Sequence, residues 1–273
     1  YVRCVQCNAA EAASFVAAEG HASVVLANNV AAHVADLGDF LAGLRTLLAP
    51  EGVLIMEVQY LPDLLVGNGF DMLYHEHRFY YSLASLKHAL ALRELRMVGV
   101  EYVATQSGSI RVFVKRAETA HHRATSTALR LDNALQAESR LGDGGLVAGL
   151  QFRANRIADR LHAELHALRG RGLTIAGYGA PAKATTLLHW TGAGQYLSWV
   201  EDTTPFKQGR YMPGTGLQVL TPTTPETGGR PDAYLLLAYN YAPSILHNER
   251  QYLADGGRMV VPLHVPTTLG APF

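Results

Sequence analysis

The sequence predicts an α/β fold with parallel sheets. Three observations carry that expectation. Short apolar runs alternate with amphipathic helical segments, the pattern of parallel strands joined by crossover helices. The alternation occurs twice, on either side of a long helical stretch. Of 273 residues, 48% are hydrophobic, enough for real cores and too many for a disordered chain. At roughly 150 residues per domain, the length suggests about two domains.

The elements follow in order. Ser23–Ala27 is a short apolar run that ends in Asn28-Asn29 and reads as a buried strand. Asp36 and Asp39 open an amphipathic helix with Leu37, Phe40, Leu41, Leu44 and Leu48 on one side. Pro50-Glu51-Gly52 stops it, and Val53–Val58 is a second buried strand. A loop with Pro62, Gly67 and Gly69 leads into Phe70–Tyr81. Ser82 caps a helix from Leu83 to Leu95. Val98–Val103 and Ile110–Lys115 are strands, and the Gly-containing link Thr105–Gly108 suggests an antiparallel pair at the sheet's edge.

From Ala117 to Gly145 the chain is polar and partly helical. Leu146, Leu150, Ile157, Leu161, Leu165 and Leu168 then mark a long helix stopped by Gly170. The second alternating unit has strands at Leu173–Ala176, Tyr196–Glu201, Ala233–Tyr239 and Arg258–Pro262. Its helices are Ala182–Trp190, with Pro181 at the first turn, and Ser244–Ala254. The expected domains are 1–116, a helical linker at 117–170, and 171–273.

Charge excludes some partners. Lys and Arg total 23, as do Asp and Glu, so a nucleic acid or an anionic membrane has no electrostatic claim on the chain. The uncharged stretch Ala184–Val200 is too short and too polar to span a bilayer. Two cysteines build no disulfide scaffold, which points to the cytoplasm. Cys4-x-x-Cys7 is half of a zinc pattern without a partner pair, so it reads as incidental and no metal is expected here.

Four constellations could carry chemistry. Tyr74-His75-Glu76-His77 lies on a loop between a strand and a helix, where α/β sheets bind ligands. A His there can take a proton from a carbon beside a carbonyl while a Tyr bonds the enolate oxygen. The same residues also suit surface histidines beside a structural Glu, or two ligands of a metal. Asn28-Asn29-Val30 with His33 could present amides to an adenine or a cationic group, or simply make a turn. Gly177-Tyr178-Gly179-Ala180-Pro181-Ala182 is a G-x-G-x-x-A sequence between strand and helix, with Glu201-Asp202 further on. It fits a phosphate site, a nicotinamide dinucleotide site, or a tight turn without a ligand. Lys207-Gln208-Gly209-Arg210 could grip a diphosphate or be a solvated loop.

Taken together, these segments resemble the S-adenosylmethionine-dependent C-methyltransferases that act on nucleotide-linked 4-keto-deoxysugars. The resemblance runs from about Glu11 to Pro262. Its motifs, in order, are Asn28-Asn29-Val30 with His33, Phe70-Asp71 with Tyr74–His77, Ser109-Ile110-Arg111, Gly177–Ala180 with Lys183, Lys207–Arg210 with Pro213-Gly214, and Asn240-Tyr241-Ala242.

The resemblance implies the C-terminal half of a class I methyltransferase Rossmann-like domain, followed by a second Rossmann-like domain that helps hold the nucleotide-sugar. It implies that His77 is the base, with Tyr74, Glu76 and His33 beside it in catalysis. Asn28, Asn29 and Val30 would contact S-adenosylmethionine. Ser109, Arg111, Tyr178, Gly179, Lys183, Lys207, Arg210 and Asn240 would contact the substrate. In that family the reaction often serves antibiotic decoration. Two departures stand out: Gln106-Ser107-Gly108 replaces the family's His-Gly-Gly, and no glycine-rich loop or ribose-binding acid of a first methyltransferase half is present. The chain therefore reads as N-terminally truncated, with the zinc domain outside it. Rival expectations are a nicotinamide-linked oxidoreductase built on Gly177–Ala182, and a fragment that only binds nucleotide-sugar.

Overall fold

The computed structural model describes residues 6–103, 108–120, 125–139, 145–223 and 229–263. The readings of Cys4 and of Thr105, Gln106 and Ser107 lie outside these. The fold is α/β, in two compact units. One comprises Tyr1–Leu64 and His75–Asp143, and the other Leu65–Tyr74 and Gly144–Pro266.

The first unit opens with α1 (Ala9–Glu19), an element without a strong apolar stripe; the Asn8 side chain accepts the Glu11 amide to start it. β1 (Ala22–Asn28) and α2 (Leu37–Leu47) follow, and Asp36 caps α2 by accepting the Asp39 amide at 2.9 Å. Pro50-Glu51-Gly52 does not separate helix from strand as expected. β2 (Leu48–Gln59) starts directly after α2 and runs through it. Ala22 pairs with Leu48 but Val24 with Val53, so the Pro-Glu-Gly stretch is absorbed as a bulge.

The predicted loop at Pro62 holds a short helix, α3 (Leu61–Val66), which tolerates Pro in its first turn because that N–H has no helical partner. α4 (Leu83–Ala91) begins in a Ser82/Ser85 capping box, as its sequence promises. It ends four residues before the expected Leu95, because Glu94 takes a left-handed φ of 52° and turns the chain into β3 (Leu95–Val103). β4 (Ser109–Arg116) then inserts between β2 and β3, antiparallel to both, giving the order β1-β2-β4-β3. α5 (Ser126–Ser139) covers β3, and its Glu138 accepts the Leu83 and Ala84 amides at the start of α4. The core holds Leu54, Met56, Ile110, Val112 and Val114. The expected buried strand is only half buried: among the described residues β1 is an edge of this sheet, and Val24 (54% exposed) and Leu26 (65%) are exposed on it.

The second unit begins with α6 (Gly145–Gly170), so α5 and α6 belong to different units. It continues with β5 (Ile175–Tyr178), α7 (Lys183–Thr191), β6 (Val200–Glu201), β7 (Val219–Leu220), β8 (Ala233–Leu236), α8 (Ala242–Asn248), α9 (Arg250–Ala254) and β9 (Arg258–Val260). All five strands are parallel, in the order β7-β6-β5-β8-β9. The expected strand at Tyr196–Glu201 shrinks to its last two residues because Ala193–Tyr196 is a 3-10 turn. The expected helix Ser244–Ala254 breaks at Glu249. β7 is too short to show any periodicity in sequence. Strand order reverses between β5 and β8, and ligands in such sheets sit outside the carboxyl ends at that point.

Two outcomes follow from this packing. Leu54→Ala, at a fully buried site, should cost about 2–5 kcal/mol, whereas exposed Leu26→Ala should stay within about 0.5 kcal/mol; urea unfolding measures both. Asp63, in the first turn of α3, is pushed up by burial to about 6 from 3.8. Its folded pKa is the higher one, so the folded state holds the extra proton and stability falls as pH rises from about 4 to 6. Asp63→Asn should flatten that fall in the urea midpoint measured across the same range.

Candidate functional site

In the first unit the candidate residues gather at the carboxyl end of β1 and β2. Asn28 is the last residue of β1 and is exposed, and Val30 is exposed two residues on. Between them Asn29 turns the chain with a left-handed φ of 55°, a conformation Asn tolerates better than most residues. Its amide donates to the Glu57 carbonyl at 2.8 Å, and its Nδ2 donates to Glu57 Oε1 at 3.2 Å. Arg111 donates to Glu57 Oε2 at 2.8 Å from the register position directly across in β4. Glu57 is thus the buried carboxylate that ties the Asn turn to Arg111. No motif in the sequence includes it. The signal was there: a charge inside the apolar run Val53–Val58 must find partners or be too costly to bury. Ser109 is fully buried, opposite Gln59.

Segment 75–81 is clipped to the turn after β1. The Arg78 amide donates to the Ala32 carbonyl and the Tyr81 hydroxyl to the Ala31 carbonyl, both at 2.8 Å. His33 Nδ1 lies 3.0 Å from the Glu76 carbonyl oxygen. A carbonyl only accepts, so Nδ1 carries the proton in this contact. The His33 and His77 rings meet edge to face, centroids 4.9 Å apart. His77 is buried at 8% exposure, while His75 and the Glu76 side chain are exposed. The boundary between the units falls within the motif, and half-buried Tyr74 belongs to the second unit.

In the second unit the Gly177–Ala182 turn is held from below. Gly179 has φ 83°, and a Cβ there would lie 2.8 Å from the Ala238 Cβ, so the position needs glycine twice over. Asp202 accepts the Ala180 amide at 2.7 Å and the Thr204 amide at 2.8 Å, and Lys207 Nζ sits 3.3 Å from it. Burial pushes this carboxyl up, but those bonds and Lys207 outweigh it and hold it below the usual range. Lys207 also donates to the Ala180 carbonyl, whereas Arg210 is exposed. Glu201 accepts from Trp199, Thr223 and Tyr234. A nicotinamide dinucleotide would need one of these two acids for its ribose. Both are already engaged inside the unit, which counts against the oxidoreductase expectation. Tyr178 donates to Glu249 at 2.9 Å.

Lys183 and Asn240 come together around a residue for which the sequence offered no role. Lys183 Nζ donates to Asn240 Oδ1 at 2.8 Å, lies 3.5 Å from Asp71 Oδ2, and sits 3.0 Å from the centre of the Tyr239 ring. The Tyr239 hydroxyl bonds the Asp71 carboxylate at 2.6 and 2.7 Å. Asp71 is 0% exposed and Lys183 6%. Burial lowers the Lys183 ammonium to about 8 against the pull of Asp71, and burial raises Asp71 against Lys183 and Tyr239. Cys7 is a free, half-buried thiol. Among the described residues no cluster of three His, Cys, Asp or Glu could hold a metal ion, and no helix is long and apolar enough to cross a membrane.

The sequence matches known families. The family described as the C-methyltransferase C-terminal domain matches residues 104–264, and one described as a methyltransferase domain matches residues 4–100. C-methyltransferase NovU of Streptomyces niveus is 38% identical over 258 residues, 92% of this chain and 60% of the relative. The α/β units and these matches define a methyltransferase-type protein. The chain belongs to the C-methyltransferase family, and it spans about 60% of the length of that curated relative.

The buried pair gives a double-mutant test. Asp71→Asn strands a buried ammonium and should cost about 3–5 kcal/mol in chemical unfolding. Combining Asp71→Leu with Lys183→Met removes both charges and should recover most of that loss. Tyr239→Phe keeps the ring under the ammonium, loses the hydroxyl, and should cost about 1–3 kcal/mol.

Proposed function

We propose that the protein to which this chain belongs methylates C3 of a nucleotide-linked 4-keto-deoxysugar through an enolate that His77 generates. The observation that carries this reading is the sheltered imidazole pair. His77 is buried at 8% exposure against His33, whose own proton is committed to the Glu76 carbonyl. Contrary to the expectation of a loop that follows a strand, His77 lies between a 3-10 turn (Phe70–Met72) and α4, and an imidazole kept out of bulk water there is well suited to moving one proton.

The C4 ketone acidifies the C3 hydrogen, and His77 removes that proton. Tyr74 holds the developing oxyanion by donating its hydroxyl proton, with His33 beside the base. Glu76 orients a sugar hydroxyl. The turn at Asn28-Asn29-Val30 suits S-adenosylmethionine: two exposed side chains flank a left-handed residue at a strand's carboxyl end. When bound, S-adenosylmethionine supplies an electrophilic sulfonium methyl group to the C3 carbanion. Glu57 keeps that turn and Arg111 in register. The second unit is read as Rossmann-like, holding the nucleotide-sugar through Tyr178, Gly179, Lys207, Arg210 and the Lys183–Asn240 pair; Ser109 and Arg111, on β4 of the first unit, are read as substrate contacts of that unit.

His77→Ala, assayed in the intact protein, should lower kcat by about 10²–10⁴-fold. Exchange of the substrate's C3 hydrogen into deuterated water should fall in parallel. Unchanged methyl transfer with exchange still running would remove His77 from the role of base.

A further inference from the structure

A cavity of about 470 Å³ lies in the second unit and is not part of any motif singled out in the sequence. Three arginines of α6 line it, Arg153, Arg156 and Arg160, with Asn68 on one side and Pro262 on the other. Spacings of three and four residues place the three on one helix face, and seven residues at about 1.5 Å each make the row about 10 Å long.

The two outer arginines are fixed without losing their charge. Arg153 Nε donates to Asn68 Oδ1, and its NH2 donates to the Leu65 and Leu146 carbonyls at 2.9 and 3.0 Å. Arg160 NH2 donates to the Pro262 and Val261 carbonyls. Every one of these acceptors is neutral. Elsewhere Arg45, Arg111, Arg116 and Arg230 each meet a glutamate. Among the described residues no carboxylate pairs with Arg153, Arg156 or Arg160, Asp159 on the same helix included. Three guanidinium groups facing one concavity with no counter-charge make a strongly positive site. Guanidinium forks match phosphoryl oxygens, and a row of about 10 Å is longer than one phosphate needs.

We propose that this cavity binds the diphosphate of a nucleotide ligand, held by Arg153, Arg156 and Arg160. In naming that ligand the proposal rests on the nucleotide-sugar reading above.

The test is calorimetric titration of the full chain with inorganic diphosphate, inorganic phosphate and a nucleoside diphosphate. Diphosphate should bind and phosphate should bind more weakly. Arg156→Gln, at an exposed side chain, should weaken diphosphate about tenfold, as expected for one charge-assisted contact. Arg156→Gln with Arg160→Gln should weaken it further, while Arg171→Gln, exposed in the turn just after α6, should leave it unchanged. Absence of binding, phosphate binding as tightly as diphosphate, or equal losses in the Arg171 variant would each overturn the site. Arginine-dependent binding in a protein without methyl transfer would instead refute the proposed function and leave the site standing. Methyl transfer with a KM indifferent to Arg156 and Arg160 would do the reverse.

Discussion

The contact between Asp71 and Lys183 organises the second unit. Ten residues, Leu65–Tyr74, leave the sequence neighbourhood of the first sheet and join a body otherwise built from residues beyond 143. A short segment of that kind has little core of its own. Phe70 contributes to the apolar cluster, but the specific fastening is ionic: a fully buried carboxylate held by an ammonium and a phenol. Burying both charges is expensive, and the low-dielectric surroundings return the cost only because every partner is in place. That requirement makes the segment's position all-or-none rather than graded. Tyr74 follows three residues after the fastening, so the same pair bears on where its hydroxyl can go.

A second carboxylate works the same way in the first unit. Glu57 joins the Asn29 turn to Arg111 across two kinds of strand pairing, parallel to β1 and antiparallel to β4. The residues that the sequence flagged are mostly those at the surface of each site. Residues that hold them, Glu57, Asp71 and Tyr239, lie one layer down, where buried polar groups must be bonded.

How far the sequence could be read follows from the physics of each signal. α2, α4 and α6 were legible because caps and apolar spacing are local. β1 and the β3–β4 pair were legible because apolar runs and a glycine link are local too. The bulge through Pro50–Gly52 was not, because it depends on which partner strand sets the register. β6 and β7, two residues each, carry no period at all and exist only through their neighbours. At the sites, Asn28–Val30, His77 and the Gly177–Ala182 turn announce themselves by residue type. The Asp71–Lys183 pair does not, since 112 positions separate its members and only the fold brings them together. The Arg153–Arg160 row was in plain view at helical spacing, but its lack of counter-charge is a property of three dimensions.

β1 deserves a last thought for anyone handling this polypeptide. Among the described residues its outer rim pairs with no strand, and the apolar side chains at positions 24 and 26 are exposed beside it, without lysine or proline guards. Such a rim is a template on which another extended strand can be laid, including one from a neighbouring molecule in a concentrated preparation. Gatekeeper charges at those two positions would be the first remedy for clumping.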